Sequence, residues 1–167
     1  MRMQKLKKST VAVISVLAIL GAAVAVLAVL NSREAIEKKR RLDDAVFLII
    51  ANEIECRVSI EDIEALGPRE IEANYKKSGK DPESRAFAGV PFAALLRHKG
   101  IATEGLRSAV FSAADGYASA LAMEKALDEE NCFIVIDAGE EGPYRMILAK
   151  DPFSQDWCKL LTDVTLK

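Results

Sequence analysis

Ser108-Ala109-Val110-Phe111-Ser112-Ala113-Ala114-Asp115-Gly116-Tyr117-Ala118-Ser119-Ala120-Leu121 reads as a chain that runs out, reverses and returns. Ser108 to Ser112 is a strand. Asp115-Gly116 is a hairpin or tight-turn signal, and Tyr117 to Leu121 continues extended. A strand that returns through so short a turn pairs antiparallel, so the neighbouring segments are expected to build around an antiparallel sheet.

Upstream, Pro91 is placed as the first residue of a helix, with Phe92, Leu95 and Leu96 on one face and Gly100 at its end. Ile71, Ala73 and Tyr75 alternate with Glu70, Glu72 and Asn74, the pattern of a half-exposed strand. Between them, Lys76 to Arg85 is polar and reads as a loop. Its Ser78-Gly79-Lys80-Asp81 lacks the first glycine of a phosphate loop and has Asp where a magnesium-binding hydroxyl is required. Ser59 and Asp62 form a capping-box-like start to a short helix that stops at Gly67-Pro68. Ala45 to Ala51 is a short apolar run that reads as a buried strand. Asn52-Glu53 turns it into Ile54 to Val58, whose alternation assigns Ile54, Cys56 and Val58 to the core.

Downstream, Met123 to Leu127 is a short helix and Cys132 to Ile136 a strong central strand. Gly139 to Pro143 turns into Tyr144 to Ala149, Asp151-Pro152 opens a last loop, and Trp157 to Leu166 closes the domain. Strands and short helices interleave without β-α-β regularity. The expected fold class is α+β, with a mixed, largely antiparallel sheet and short helices, preceded by one transmembrane helix.

That helix is read from Ser9 to Ser32, which contains no charge. Val11 to Leu30 comprises twelve Val, Ile or Leu, six Ala, one Ser and one Gly. Twenty such residues span roughly 30 Å as a helix, the thickness of the hydrocarbon core. Ala23-Val24-Ala25 offers the small-x-small pattern of a cleaved secretory signal. The apolar run is longer than a signal core and continues past that site to Leu30, which favours an uncleaved anchor. The expected organisation is a cytoplasmic tail over 1–9, the span over 10–31, a charged stalk over 32–44 and a domain over 45–167. Arg2, Lys5, Lys7 and Lys8, with no acid among them, favour a cytoplasmic N-terminus and an extracytoplasmic domain.

Residues 1–44 carry nine Lys or Arg against four acids, and residues 45–167 carry fourteen against twenty-one. The first part is thus +5 and the domain −7, which lacks the footprint of a nucleic-acid binder. Cys56, Cys132 and Cys158 are far apart and His98 is the single histidine, so Cys/His zinc spacings are excluded. The odd count leaves at least one thiol unpaired, and no disulfide is expected to support the fold. His98, near a helix end, reads as a surface residue.

Several segments, taken in order, resemble one family. Phe87-Ala88-Gly89-Val90-Pro91-Phe92 with Leu95-Leu96 and Gly100-Ile101 is similar to its "W-x-G-V-x-L…LL…G-V" helix. Val110 to Tyr117 is similar to "V-x-F…A-x-D-G-Y", Met123-Glu124 to Leu127-Asp128 to "P-L-x-x-A-L", Gly142 to Ile147 to "G-P-x-R-L-V-V-P", and Trp157 to Leu166 to "V-K-W-L-x-x-I-x-L". The family is the sulfite-oxidase-type molybdopterin-binding domain, and the resemblance spans roughly residues 45–167. Its enzymes bind molybdenum through a cysteine thiolate, in a stretch that falls here near Ile71 to Tyr75, where no cysteine stands.

The resemblance therefore implies the family fold more than the family chemistry. The expected function is a non-catalytic module that binds a small anionic ligand or a redox partner protein at the membrane. The alternatives are a molybdopterin-dependent oxidoreductase with no protein thiolate and an envelope scaffold with an empty pocket. No cofactor is expected from the residues, and molybdopterin enters only through the resemblance. No residue is assigned as catalytic or metal-binding, and the partners expected are the lipid bilayer and that ligand or protein, with no nucleic acid. The candidate ligand-binding residues are Ser112, Asp115, Gly116, Tyr117 and Arg145. Each also has a structural reading: Asp115-Gly116 as a turn pair, Tyr117 as core with its hydroxyl at the edge, Arg145 paired with an acid.

Overall fold

The computed structural model describes residues 8–75, 81, 83–136 and 142–167. The chain divides into two compact units, Met1–Glu37 and Lys38–Lys167. The described residues of the first belong to helix α1 (Lys8–Asp43). The Val13–Asp43 stretch of α1 contains a window of mean hydropathy 2.9 with no share of it buried. It is one helix long and apolar enough to cross a membrane, and its backbone bonds are internal as lipid requires. Arg2, Lys5 and Lys7, on which the orientation argument draws, lie outside the described residues.

The second unit starts with the end of α1, so helix continues through most of the segment expected as a stalk. Its described strands are β1 (Val46–Ala51), β2 (Ile54–Ser59), β3 (Arg69–Tyr75), β4 (Glu83–Pro91), β5 (Ser108–Ala113), β6 (Ala118–Ala122), β7 (Cys132–Ile136), β8 (Tyr144–Leu148) and β9 (Leu161–Leu166). Short helices α2 (Ile60–Ala65), α3 (Phe92–His98) and α4 (Met123–Ala126) and a 3₁₀ turn at Ser154–Asp156 connect them. The strands form two sheets, ordered β2-β1-β9-β5-β6 and β3-β4-β7-β8. Among the described strands only the β1–β9 pair is parallel. The fold is mixed and largely antiparallel.

Local chemistry accounts for most boundaries. The Ser59 backbone N–H donates to Asp62 Oδ2 at 2.9 Å, which starts α2. Proline at 91 caps α3, whose Phe92, Leu95 and Leu96 are buried, and Gly100 ends it with a φ of +66°. Burial of β7 on both faces explains its unbroken apolar run: all of Cys132 to Val135 is buried.

The structure corrects two expectations. Ser84 and Arg85, read as loop, and Phe87 to Pro91, matched to a helix motif, lie in β4. Their place comes from pairing with β3, where Arg85 faces Ala73 and Phe87 faces Ile71; that partner is remote in sequence, so local polarity misled. Residues 76–80 and 82 of the expected loop, and 139–141 of the turn before β8, lie outside the described residues. Secondly, Ile54 is 71% exposed, although Val58 is fully buried, and Cys56 is half-buried. The β1–β2 hairpin carries its apolar face beyond the core that covers its base.

Phe47 meets Tyr144 edge-on at 5.0 Å and Phe92 meets Phe111 at 5.0 Å. The Tyr144 hydroxyl donates to the Ala45 carbonyl at 2.7 Å. Asp163, on β9, receives the Arg41 guanidinium from the end of α1, and the Thr162 hydroxyl at 2.9 Å. Gly89 is required by close approach. A Cβ there would lie 2.6 Å from both the Ile134 carbonyl oxygen and Val135 Cγ1.

Candidate functional site

Strand alternation brings an aromatic and cationic cluster to one face of the four-stranded sheet. Ile71, Ala73 and Tyr75 share that face on β3, and the register puts Phe87 and Arg85 of β4 opposite Ile71 and Ala73. Gly89 faces Val135, and Val135 faces Arg145 on β8, so Arg145 joins the same face. Cys158 bridges to Met146 on the outer side of β8, with N–H to carbonyl distances of 2.8 and 3.0 Å. Its neighbours Trp157 and Lys159 therefore point the other way, toward Tyr75.

Among the described residues, Arg85, Lys159 and Arg145 meet at the Tyr75 ring. Arg85 lies 4.5 Å from its centroid, Lys159 Nζ 5.1 Å and Arg145 5.8 Å. Lys159 Nζ also donates to the Tyr75 hydroxyl at 3.3 Å, and Arg145 lies 5.7 Å from the Phe87 ring. Trp157 packs on Phe87 edge-on at 5.4 Å and on Tyr75 at 5.9 Å. Each cation–ring contact contributes roughly 0.5–2 kcal/mol, more as it is desolvated. Arg145 is 4% exposed and Trp157 3%, whereas the Arg85 side chain is 45% exposed and lies 3.8 Å from Glu83. The buried Trp157 indole N–H has no hydrogen-bond acceptor among the described residues. A buried donor of this kind costs about 1–3 kcal/mol until it is satisfied.

The residues singled out in the sequence fall in two places. Asp115, Gly116 and Tyr117 form the turn between β5 and β6. Asp115 Oδ1 accepts the Tyr117 backbone N–H at 3.0 Å, and Gly116 has a φ of +90° that a side chain would strain. The Tyr117 hydroxyl donates to the Gln155 carbonyl at 2.8 Å; burial, then Asp156, pushes the phenol above its usual value. Ser112 is half-buried in β5, and its carbonyl accepts the Thr162 hydroxyl at 3.2 Å. Arg145 lies on β8 of the other sheet, with the Tyr75 cluster. The two places share one connector, residues 155–158: Gln155 takes Tyr117, and Cys158 takes the residue after Arg145.

Tyr75, Arg85, Trp157 and Lys159 were not singled out. The alternation of Trp157 and Lys159 about Cys158 was a usable signal. Arg85 had none, because its place depends on the β3 register.

Cysteine chemistry bears on any metal. Cys132 and Cys158 are fully buried. Burial drives the Cys132 thiol well above its usual value, and burial, then Asp115 and Asp163, pushes Cys158 up to about 12. Neither presents a thiolate near neutral pH. Cys56 lies on β2, in the other sheet. All three cysteines are free thiols. Among the described residues no three His, Cys, Asp or Glu group as metal ligands do.

No protein-family model matches the chain, and no curated protein matches it in sequence. Among solved structures, the sulfane dehydrogenase SoxCD from Paracoccus pantotrophus matches with a TM-score of 0.57 at 17% identity. The match covers 75% of this chain and 38% of that one. At this identity the likeness establishes a shared fold, over well under half of the dehydrogenase chain. The molybdopterin centre that the sequence resemblance implies asks for a soft thiolate at an open metal position. The stretch from Ile71 to Tyr75, near which the resemblance puts that ligand, holds no cysteine, and the thiols that exist are elsewhere. The residues present do not fit a thiolate-bound molybdenum.

Proposed function

We propose that this chain is a non-catalytic binding module of the sulfite-oxidase-type fold, held outside the cytoplasm by its N-terminal helix, and that it takes a small anionic ligand at the Tyr75 cluster. The observation that carries the reading is the convergence of Arg85, Arg145 and Lys159, from three separate segments, on one ring. Guanidinium groups offer planar pairs of donors that match carboxylate and phosphate oxygens. The Trp157 N–H adds a donor with the same requirement for an acceptor. Arg85, more exposed than Arg145, supplies the solvent-facing contact and Arg145 the buried one.

Trp157 is the sole tryptophan and reports directly on this cluster. The test titrates the full chain in lipid nanodiscs with phosphate, citrate and a small dicarboxylate, following Trp157 emission. A saturable change is expected, and Arg85→Ala should weaken it by about 1.5–3 kcal/mol, or ~10–150-fold in affinity. The absence of a saturable response to any of the three anions would remove the reading. Elemental analysis of protein made in a host competent for cofactor synthesis gives an independent check, because one molybdenum per chain would restore the oxidoreductase alternative. Protease added to intact spheroplasts should digest residues 45–167, as the acid-free basic N-terminal flank favours. Protection until lysis would reverse the orientation.

A further inference from the structure

The β1–β2 hairpin and the segment after α3 line a cavity of about 410 Å³. That volume falls within the usual range for small-molecule sites. One wall is the hairpin face on which Ile49 opposes Cys56 and Ala51 opposes Ile54. It begins at fully buried Ile49 and ends at Ile54, 71% exposed. The opposite wall is the turn at Gly100 and Ile101. An apolar sheet face therefore runs out of the core into a cleft that the described residues leave open.

Among the described residues, Lys99 and Glu55 are the charged groups that line this cleft. Lys99 lines it and is largely buried, with its Nζ 2.9 Å from Asp62 Oδ2. Glu55 lines the rim beside it, but it opposes Ile50 in the register, so its side chain leaves from the other face of the hairpin. An ammonium carries three donors, and the bond to Asp62 uses one of them.

We propose that this cleft binds a small amphiphilic carboxylate, such as a medium-chain fatty acid. Its hydrocarbon lies along Ile49, Ala51 and Ile54, and its head group shares Lys99 with Asp62. The site is separate from the Tyr75 cluster, on the other sheet, and does not depend on the reading given for that cluster.

Cys56 lines the cavity and is the reporter, because Cys132 and Cys158 are fully buried. Full-length protein in lipid nanodiscs is treated with iodoacetamide, and Cys56 alkylation is followed by mass spectrometry with increasing octanoate or 1-octanol. Octanoate should slow the reaction saturably, about tenfold at ten times its dissociation constant, since only the unliganded fraction reacts. The neutral alcohol should protect less, and Lys99→Gln should erase the difference between the two. Ile54→Asp alters an exposed residue, so the fold is retained; it should abolish protection by octanoate. A rate unchanged by octanoate would overturn the proposal. So would equal protection in the Ile54→Asp protein, which would assign the effect to the lipid, and equal protection by the alcohol in the parent protein, which would remove the role of Lys99.

Discussion

Replacing Gly89 with alanine tests the packing that lets the four-stranded sheet form its cluster. The new Cβ would meet the Ile134 carbonyl oxygen and Val135 Cγ1, both at 2.6 Å. Carbon atoms rest about 3.5–4 Å apart at their optimum, so the strands must separate by most of an ångström. Val135 could shift its side chain. The Ile134 oxygen cannot yield without disturbing the β4–β7 ladder, in which Gly89 faces Val135 and Val90 faces Ile134. Overpacking in a dense core costs typically 1–3 kcal/mol, and a fixed backbone neighbour puts this case near 3. For a domain of this size that is a fall in Tm of roughly 10 °C. Circular dichroism melts of the full chain in nanodiscs would measure it, with Gly89→Ala, Val135→Ala relieving the side-chain clash and leaving the carbonyl clash. A Tm within about 2 °C of the parent would refute the close approach that this reasoning rests on.

Arg41→Ala should destabilise the domain by about 3 kcal/mol, because it leaves the mostly buried Asp163 carboxylate with the Thr162 hydroxyl alone; chemical denaturation of the variant decides, and Asp163→Asn should be milder. Burial opposes ionisation of Asp62, but the Ser59 N–H, Lys99 and His98 outweigh it and hold the carboxyl below its ordinary value of 3.8. Its contribution to stability is then complete above that value and fades as the pH falls through the lowered one, so Asp62→Asn should flatten the stability profile below about pH 4. In the folded protein one thiol, Cys56, should react promptly with iodoacetamide, and denaturation should expose three with or without reductant; two prompt thiols would contradict the burial of Cys132 and Cys158.

What could be read in the sequence was whatever neighbouring residues decide. The Asp115-Gly116 reversal, the Ser59–Asp62 cap and the face shared by Phe92, Leu95 and Leu96 rest on contacts a few residues apart. Strand β4 escaped because Ser84 and Arg85 are polar, and only the register with Asn74 and Ala73 makes them strand. The same non-local register hid the cluster. Arg145 stood out within its motif, whereas its aromatic partners Tyr75 and Phe87 come from β3 and β4. Ile54 and Cys56 were misjudged for the opposite reason. Their alternation is regular, yet alternation cannot say where the covering layer stops.

The place of β9 bears on the order in which this protein can fold. Leu161–Leu166 lies between β1 and β5, so the strand that comes latest in this domain's chain order is the middle of its sheet. It pairs alongside the domain's first strand, Leu48 facing Asp163, and that contact closes a loop of nearly the whole domain. Contacts of such separation are slow to form, because the entropy of closure precedes any gain. Before β9 arrives, β2–β1 and β5–β6 are two isolated hairpins, each marginal alone in water. The nascent domain therefore stays loose until β9 is delivered, and removing β9 divides the sheet in two instead of trimming an edge.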